Sequence, residues 1–278
     1  MFSIQLHRDF PFPVQLNNTT LFLREAPDSK VLEALKNLVH GRKNASQKRF
    51  SRPFAAGKQA LFAKIQPLTT LKSRMRVTWR KTHRDGRYDW PIEELINTAE
   101  ANRRGAGVPP LVGFGHTKSK IGLTREVFLL TGLLDEYVDG NQWLKRHPEH
   151  VNQFISTAFT LLGSLTDKDI IHMDFWAANV MISPDGSHAR AIDLENAFAH
   201  RSEFFSETLG FQMGFFYHRE VRKFIIERHY DALVENYLAT LGPFDRARFD
   251  AVYQLAKHEK IGRKERRDVF LSGKLVLG

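Results

Sequence analysis

The chain has 278 residues, enough for one large domain or two lobes at roughly 100 to 200 residues per domain. Its 42% hydrophobic, 12% aromatic and 26% charged content excludes a disordered or fibrous protein, and the absence of cysteine excludes disulfides, thiolate metal sites and cysteine nucleophiles. A formal charge of +10 favours anionic partners, whether nucleic acid, an acidic membrane surface or phosphorylated substrates, without choosing among them.

The N-terminal stretch MFSIQLHRDFPFPVQL has no charged segment ahead of a long apolar one, and Arg8 and Asp9 interrupt its apolar content. No signal peptide is expected. Two basic clusters follow, Arg42, Lys43, Lys48, Arg49 and Arg52, then Lys72, Arg74, Arg76, Arg80, Lys81, Arg84 and Arg87. Each reads either as a solvated face or as contact with an anionic substrate or membrane. The run ALFAKI from Ala60, with Gly57 just before it, predicts a strand entered through a hairpin turn. Lys64 inside it is anomalous, and a snorkelling lysine on an edge strand is the plain alternative to a functional one.

From Pro91 to about Arg104 a helix is predicted, with Pro at its first position, Glu93 and Glu94 in its first turn and Ile92, Leu95, Ile96 and Ala99 on one face; GAGVPP ends it. REVFLLTGLL predicts a strand running into a connection at Thr131-Gly132. Its apolar stretch falls well short of the roughly 18 residues of a membrane span. DEYVDGNQ then supplies loop chemistry before a helix around Gln142 to Arg146. A lobe boundary is therefore expected here, dividing the chain into residues 1–131 and 132–278. Phe154, Ile155, Ala158, Phe159, Leu161, Leu162 and Leu165 follow a helical period from Val151, and the chain beyond residue 205 alternates helical patterns with turns. The charge-rich stretch from Lys257 to Arg267 reads as a surface helix or tail. A strand-rich first half thus precedes a helical second half, in a cytoplasmic protein without a transmembrane helix.

The segment HMDFWAANVMI places His172, Asp174 and Asn179 between apolar flanks, where packing alone has no use for them. Downstream, AIDLE puts Asp193 between Ile192 and Leu194, after a turn at Pro184-Asp185-Gly186. Two short strands joined by that turn bring Asn179 and Asp193 together at one mouth. An amide oxygen and a carboxylate there are hard ligands suited to Mg²⁺, and a second carboxylate upstream can orient and deprotonate a hydroxyl. These are the parts that phosphoryl transfer requires.

The spacing H-x-D-x-x-x-x-N of His172, Asp174 and Asn179, with Asp193 after it, resembles the catalytic loop and metal-binding Asp of the protein-kinase-like superfamily. The resemblance implies an α+β, two-lobed fold: a small antiparallel β N-lobe with one helix, which binds nucleotide, then a mostly helical C-lobe. It implies that Asp174 positions the acceptor hydroxyl and accepts its proton, that His172 braces the loop, and that Asn179 and Asp193 hold Mg²⁺ on the ATP phosphates. Lys64 resembles the kinase strand lysine that neutralises those phosphates and pairs with a helix glutamate. Counting back from Gly105 favours Glu94 as that partner, whereas distance to Pro110 and nearness to the apolar face favour Glu100; both stay open. The nucleotide's adenine is expected on backbone near residues 130–133.

Some kinase parts are missing. The stretch GRKNASQK from Gly41, where a phosphate-covering loop is expected, has no G-x-G-x-x-G; Asp193-Leu-Glu replaces D-F-G; and no A-P-E follows. A long regulated activation segment and a peptide-docking platform are not expected. Over residues 42–196, ALFAK, the helix ending in GVPP, VFLLTGLL, IIHMDFWAANVMI and AIDLEN are together similar to the Kdo/WaaP-type lipopolysaccharide kinase family and its InaA-like relatives, small bacterial kinase-fold proteins. Where many relatives have Leu-His before the catalytic loop this chain has Leu165-Thr166. The family resemblance implies a kinase that phosphorylates a sugar hydroxyl of lipopolysaccharide core, an anionic glycolipid or sugar substrate, with peripheral contact at the cytoplasmic face of the inner membrane. A protein or small-metabolite kinase of the same fold, or a low-turnover kinase-like stress or binding protein, are the alternatives. Nucleic acid is not an expected partner, since no docking motif accompanies the charge.

Overall fold

An unbroken apolar run such as residues 127–130 suits a strand covered on both faces, and that is its place here. The computed structural model describes residues 4–43, 49–84 and 86–277. It divides into two units, Met1–Asn102 with Pro109–Asp135, and Arg103–Val108 with Glu136–Gly278. The first unit runs α1 (Ile4–Asp9), β1 (Phe12–Leu16), β2 (Thr19–Leu23), α2 (Ser29–Lys43), β3 (Phe50–Ala56), β4 (Gln59–Pro67), α3 (Leu71–Trp79), α4 (Trp90–Arg103), β5 (Leu111–Lys118) and β6 (Thr124–Gly132). Its strands form one antiparallel sheet in the order β1-β2-β5-β6-β4-β3.

Side chains alternate between the faces of a strand, so Val127 and Leu129 of β6 join Leu6, Val77, Ile92 and Leu95 from α1, α3 and α4, and Phe10 just after α1, in one core cluster. Phe128 and Leu130 join Leu35, Leu38 and Val39 of α2 in another. The expectation of a single helix beside this sheet is therefore corrected: α1, α2 and α3 accompany α4, because both faces of the sheet are apolar and need cover. Lys64 is not on an edge either. Its strand β4 lies between β3 and β6, and the edge strand β3 carries exposed Arg52 and Pro53, residue types that discourage further strand pairing.

The chain passes to the second unit at Asp135–Glu136 rather than at 131–132, because Leu133 N–H still bonds the Ala60 carbonyl at the end of β4. The short stretch Arg103–Val108 belongs to the second unit, where Gly107 accepts from Ala191 N–H and Arg104 Nη1 donates to the carbonyls of Lys168 and Asp169.

The second unit continues with β7 (Val138–Asp139), α5 (Gly140–Arg146), α6 (Val151–Thr166), β8 (Ile171–His172), β9 (Val180–Ile182), β10 (Ala189–Ala191), β11 (Ala197–Phe198), α7 (Phe205–Arg219), α8 (Glu227–Leu238), α9 (Arg246–His258) and α10 (Arg263–Ser272). Helix α7 is buried from Ser206 to Tyr217, as a helix at the centre of a helical unit must be. Gly210 and Gly214 let it approach the backbone of α9, since a Cβ at either would collide with the carbonyls of Phe249 and Tyr253. The stretch from Lys257 to Arg267 is exposed from His258 to Lys260 and from Gly262 to Lys264, but its two ends turn inward. Lys257 is 1% exposed and held by Asp231 and Glu227, both at 2.8 Å, and Arg266 and Arg267 are buried. Among the described residues no helix is long and apolar enough to cross a membrane.

His116 of β5 is buried in the first unit, and loss of water, reinforced by the nearby Lys118 charge, pushes its imidazole down to about 4. An unfolded histidine titrates near 6.5, so the folded chain binds fewer protons between those values. The stability this preserves is complete above pH 6.5 and is lost as pH falls towards 4. Thermal melts from pH 7.5 to 4.5 should therefore show a steeper fall in Tm for the natural chain than for His116→Gln; parallel slopes would remove His116 as a source of acid sensitivity.

Candidate active site

The segment His172 to Asp193 is held by backbone pairing at both ends. Strand β8 pairs with β11 through Ala197↔His172 and Phe198↔Ile171, and Met173 N–H bonds the Asn196 carbonyl. Residues Ala177–Asn179 then make a single 3₁₀ turn into β9, which pairs antiparallel with β10. The turn between these strands is set by Asp185, whose carboxylate accepts from the Ser183 and Ser187 hydroxyls, with Gly186 at positive φ. The register puts Val180 opposite Ala191, and Ile192 N–H bonds the Asn179 carbonyl. Asn179 and Asp193 accordingly flank the open end of the β9–β10 hairpin, as its length requires.

His172 is fully buried. Its Nδ1 accepts the Asp174 N–H at 3.2 Å, so the proton sits on Nε2, which donates to the Ile192 carbonyl at 3.0 Å. Burial holds the imidazole below its ordinary pKa and keeps it neutral. His172 therefore ties the backbone ahead of Asp174 to the backbone ahead of Asp193, and its ring nitrogens are committed to that bridge. Asn179 Nδ2 donates to the Asp174 carbonyl at 2.8 Å. A carbonyl can only accept, so this bond fixes the amide orientation and turns Oδ1 away as the free acceptor. Asp193 has φ 62° and ψ 56°, the left-handed region that non-glycine residues enter at a cost and that recurs at functional sites. Asn179 Oδ1 and the Asp193 carboxylate are hard oxygen donors, a set that fits Mg²⁺.

The Asp174 carboxylate has a partner that sequence reasoning missed. Arg266 of α10, 92 residues downstream, donates Nη1 to Asp174 Oδ1 at 2.5 Å. The only signal was the basic density from Lys257 to Arg267, which reads as surface until α10 is seen to pack inward. Oδ2 of Asp174 accepts no hydrogen bond among the described residues.

In the first unit, Lys64 Nζ donates to Glu94 Oε1 at 2.5 Å, and Gln66 Nε2 donates to Glu94 Oε2 at 2.6 Å. Both ion-pair partners are buried. Leu129, opposite Lys64 in the sheet, packs on the α4 side, so Lys64 points to that helix. The choice left open between Glu94 and Glu100 falls to Glu94. Six residues along a helix amount to about 9 Å of rise and about 120° of rotation, so Glu100 faces elsewhere. Glu93 is taken by Tyr88 N–H at 2.7 Å.

One expectation shifts. Residues 41–43, expected in a phosphate-covering loop, are the last turn of α2, with Arg42 buried on Glu126 at 2.8 Å; residues 44–48 of that stretch lie outside the described residues. Of residues 130–133, expected to meet adenine, Leu130 and Thr131 pair with strands on both sides, and the N–H groups of Gly132 and Leu133 bond the Pro110 and Ala60 carbonyls. A cavity of about 630 Å³ within the second unit, lined by Tyr137, Val138, Lys145, Ala178, Met181 and Ile192 among others, adjoins the residues preceding Asn179 and Asp193.

A strand lysine paired with a helix glutamate in an antiparallel-sheet unit, followed by a mainly helical unit that carries His172, Asp174, Asn179 and Asp193 on strand-paired loops, makes the fold kinase-like. No protein-family model matches the chain. No curated protein matches it in sequence. Among solved structures, WaaP in complex with acyl carrier protein aligns over 76% of this chain and 84% of that one, at 15% identity and a TM-score of 0.49. At that identity no residue role passes from one chain to the other.

Replacing His172 by Phe keeps the ring volume but leaves the Asp174 N–H and the Ile192 carbonyl without their partner. A buried unsatisfied group costs about 1 to 3 kcal/mol, so urea titration should show a loss of about 2 to 5 kcal/mol. A loss below about 1 kcal/mol would mean that His172 does not hold the two segments together.

Proposed function

We propose that the protein is an ATP- and Mg²⁺-dependent phosphotransferase acting on an alcohol group, and that its acceptor is a sugar hydroxyl of lipopolysaccharide core. The observation that carries the reading is the β9–β10 hairpin, which sets Asn179 and Asp193 at one end while His172 and Asn179 fix the backbone of Asp174. Bound Mg²⁺-ATP supplies the phosphoryl group and spreads its developing charge over the metal. Asn179 Oδ1 and the Asp193 carboxylate would hold the metal, and Lys64, kept in place by Glu94, would neutralise nucleotide phosphate. Asp174, held through Oδ1 by Arg266, presents Oδ2 to the acceptor hydroxyl, orients it and takes its proton.

The acceptor rests on less. The basic surplus of the chain and the sequence resemblance to lipopolysaccharide kinases support an anionic glycolipid, reached by peripheral contact with the membrane. The Arg266–Asp174 ion pair favours a second reading, a kinase-like binding protein of low turnover, because the carboxylate that an acceptor hydroxyl needs is already engaged by a guanidinium.

Asp174→Asn separates the two. General-base assistance is worth about 10² to 10⁴-fold, so single-turnover transfer from Mg²⁺-ATP to fractionated lipopolysaccharide should fall at least about a hundredfold while ATP affinity stays within about twofold. Asp193→Ala should instead abolish the Mg²⁺ dependence of ATP binding in calorimetry. Undiminished transfer by Asp174→Asn, or unchanged Mg²⁺-ATP binding by Asp193→Ala, would overturn the assignment.

A further inference from the structure

Arginines from α7 and α10 gather near Asp174. Arg266 gives Nη1 to Asp174 Oδ1 at 2.5 Å and Nη2 to the Ile261 carbonyl at 3.2 Å, and its guanidinium lies 4.4 Å from the Phe215 ring centroid. Arg263, one turn earlier on α10, pairs with Glu195 at 2.7 Å. Arg219, the last residue of α7, is exposed and lies over Trp176 at 4.5 Å and Phe215 at 5.7 Å. It has no carboxylate partner among the described residues. Burial, with repulsion from Arg219 and Arg263, lowers the proton affinity of Arg266.

Solubility alone would leave the Arg219 side chain extended into water. Here the guanidinium is laid flat against an indole two residues after Asp174, where cation–π contact holds it in one place with its N–H groups still accessible. A pre-placed planar fork of donors is suited to an oxyanion, phosphate or carboxylate. The side on which it lies also matters. Asn179 binds the backbone carbonyl of Asp174 and leads to the hairpin end with Asp193, whereas the Asp174 carboxylate bonds Arg266 of α10, whose guanidinium lies over Phe215 near the end of α7. Arg219 therefore belongs to the carboxylate side, where an acceptor hydroxyl would sit.

Resting on the phosphotransferase reading, we propose that Arg219 and Trp176 form an acceptor subsite beside Asp174 that takes an anionic oxygen group, phosphate or carboxylate, carried by the acceptor sugar itself. The substrate class is then an already charged saccharide and not a neutral one.

The test is equilibrium binding without nucleotide, read by tryptophan fluorescence and by calorimetry, so that it does not depend on turnover. The probes are deacylated lipopolysaccharide core oligosaccharide in three forms: intact, dephosphorylated with hydrofluoric acid, and carboxyl-reduced. A charge-assisted contact of this kind is worth about tenfold or more in affinity. The intact form should bind at least about tenfold more tightly than one of the two charge-depleted forms, and the form that loses affinity identifies the group bound. Arg219→Gln, at an exposed position that leaves folding intact, should lower intact-form affinity about tenfold and barely change the weaker one. Trp176→Phe should remove the fluorescence change while calorimetry still reports binding. Equal binding of all three forms, binding of none, or an unchanged preference in Arg219→Gln overturns the subsite. A charge preference lost in Arg219→Gln alongside absent phosphoryl transfer would sink the phosphotransferase reading and spare the subsite; the reverse result would do the opposite.

Discussion

Everything in the second unit's site depends on one neutral imidazole. Two short chain segments, ahead of Asp174 and ahead of Asp193, run through a buried region where each carries backbone groups that need partners. His172 serves both, accepting from Asp174 N–H and donating to the Ile192 carbonyl. The bridge works only in the neutral tautomer with the proton on Nε2, and burial enforces that state. A protonated ring would present a donor to a donor at Asp174. The left-handed backbone of Asp193, the Asn179 amide fixed on the Asp174 carbonyl and the β9–β10 register are all consistent with the geometry that this bridge sets.

Around that loop, the helices contribute charge as well as cover. The close approach of α7 to α9, allowed by Gly210 and Gly214, fixes the end of α7, where Phe215 supplies a ring face to Arg266 and Arg219 lies on Trp176. Helix α10 then delivers Arg266 to Asp174 and Arg263 to Glu195. Breaking a buried ion pair leaves an uncompensated charge and costs far more than forming the pair stabilises. The C-terminal helix and the loop after β8 are therefore coupled, although 92 residues separate Asp174 from Arg266.

The first unit meets the same constraint differently. Its sheet is apolar on both faces, and the Lys64 ammonium on the face towards α4 is matched by a carboxylate from that helix, itself held by Gln66. A pair so enclosed is weak evidence for stability, since desolvation offsets much of the attraction. Its physical consequence is positional, because the Lys64 ammonium is restricted to one region of β4.

Sequence alone determined what period and spacing can carry. The apolar runs of β4 and β6, the helical face of α6, the proline-started α4 and the turn at Asp185-Gly186 are local, and each appeared where its pattern placed it. The spacing from Asn179 to Asp193 foretold a hairpin with both residues at its end, because strand length and turn type fix register. Only tertiary structure chose Glu94 over Glu100, since both lie on the same helix and the choice rests on which side faces Lys64. It also turned residues 41–43 from loop into helix, and made Lys257 and Arg266, within an otherwise largely exposed basic stretch, partners of Asp231, Glu227 and Asp174. Long-range charge pairing leaves no periodic trace in a sequence: which guanidinium meets which carboxylate is decided by how helices pack, and that packing exists only once the chain has folded.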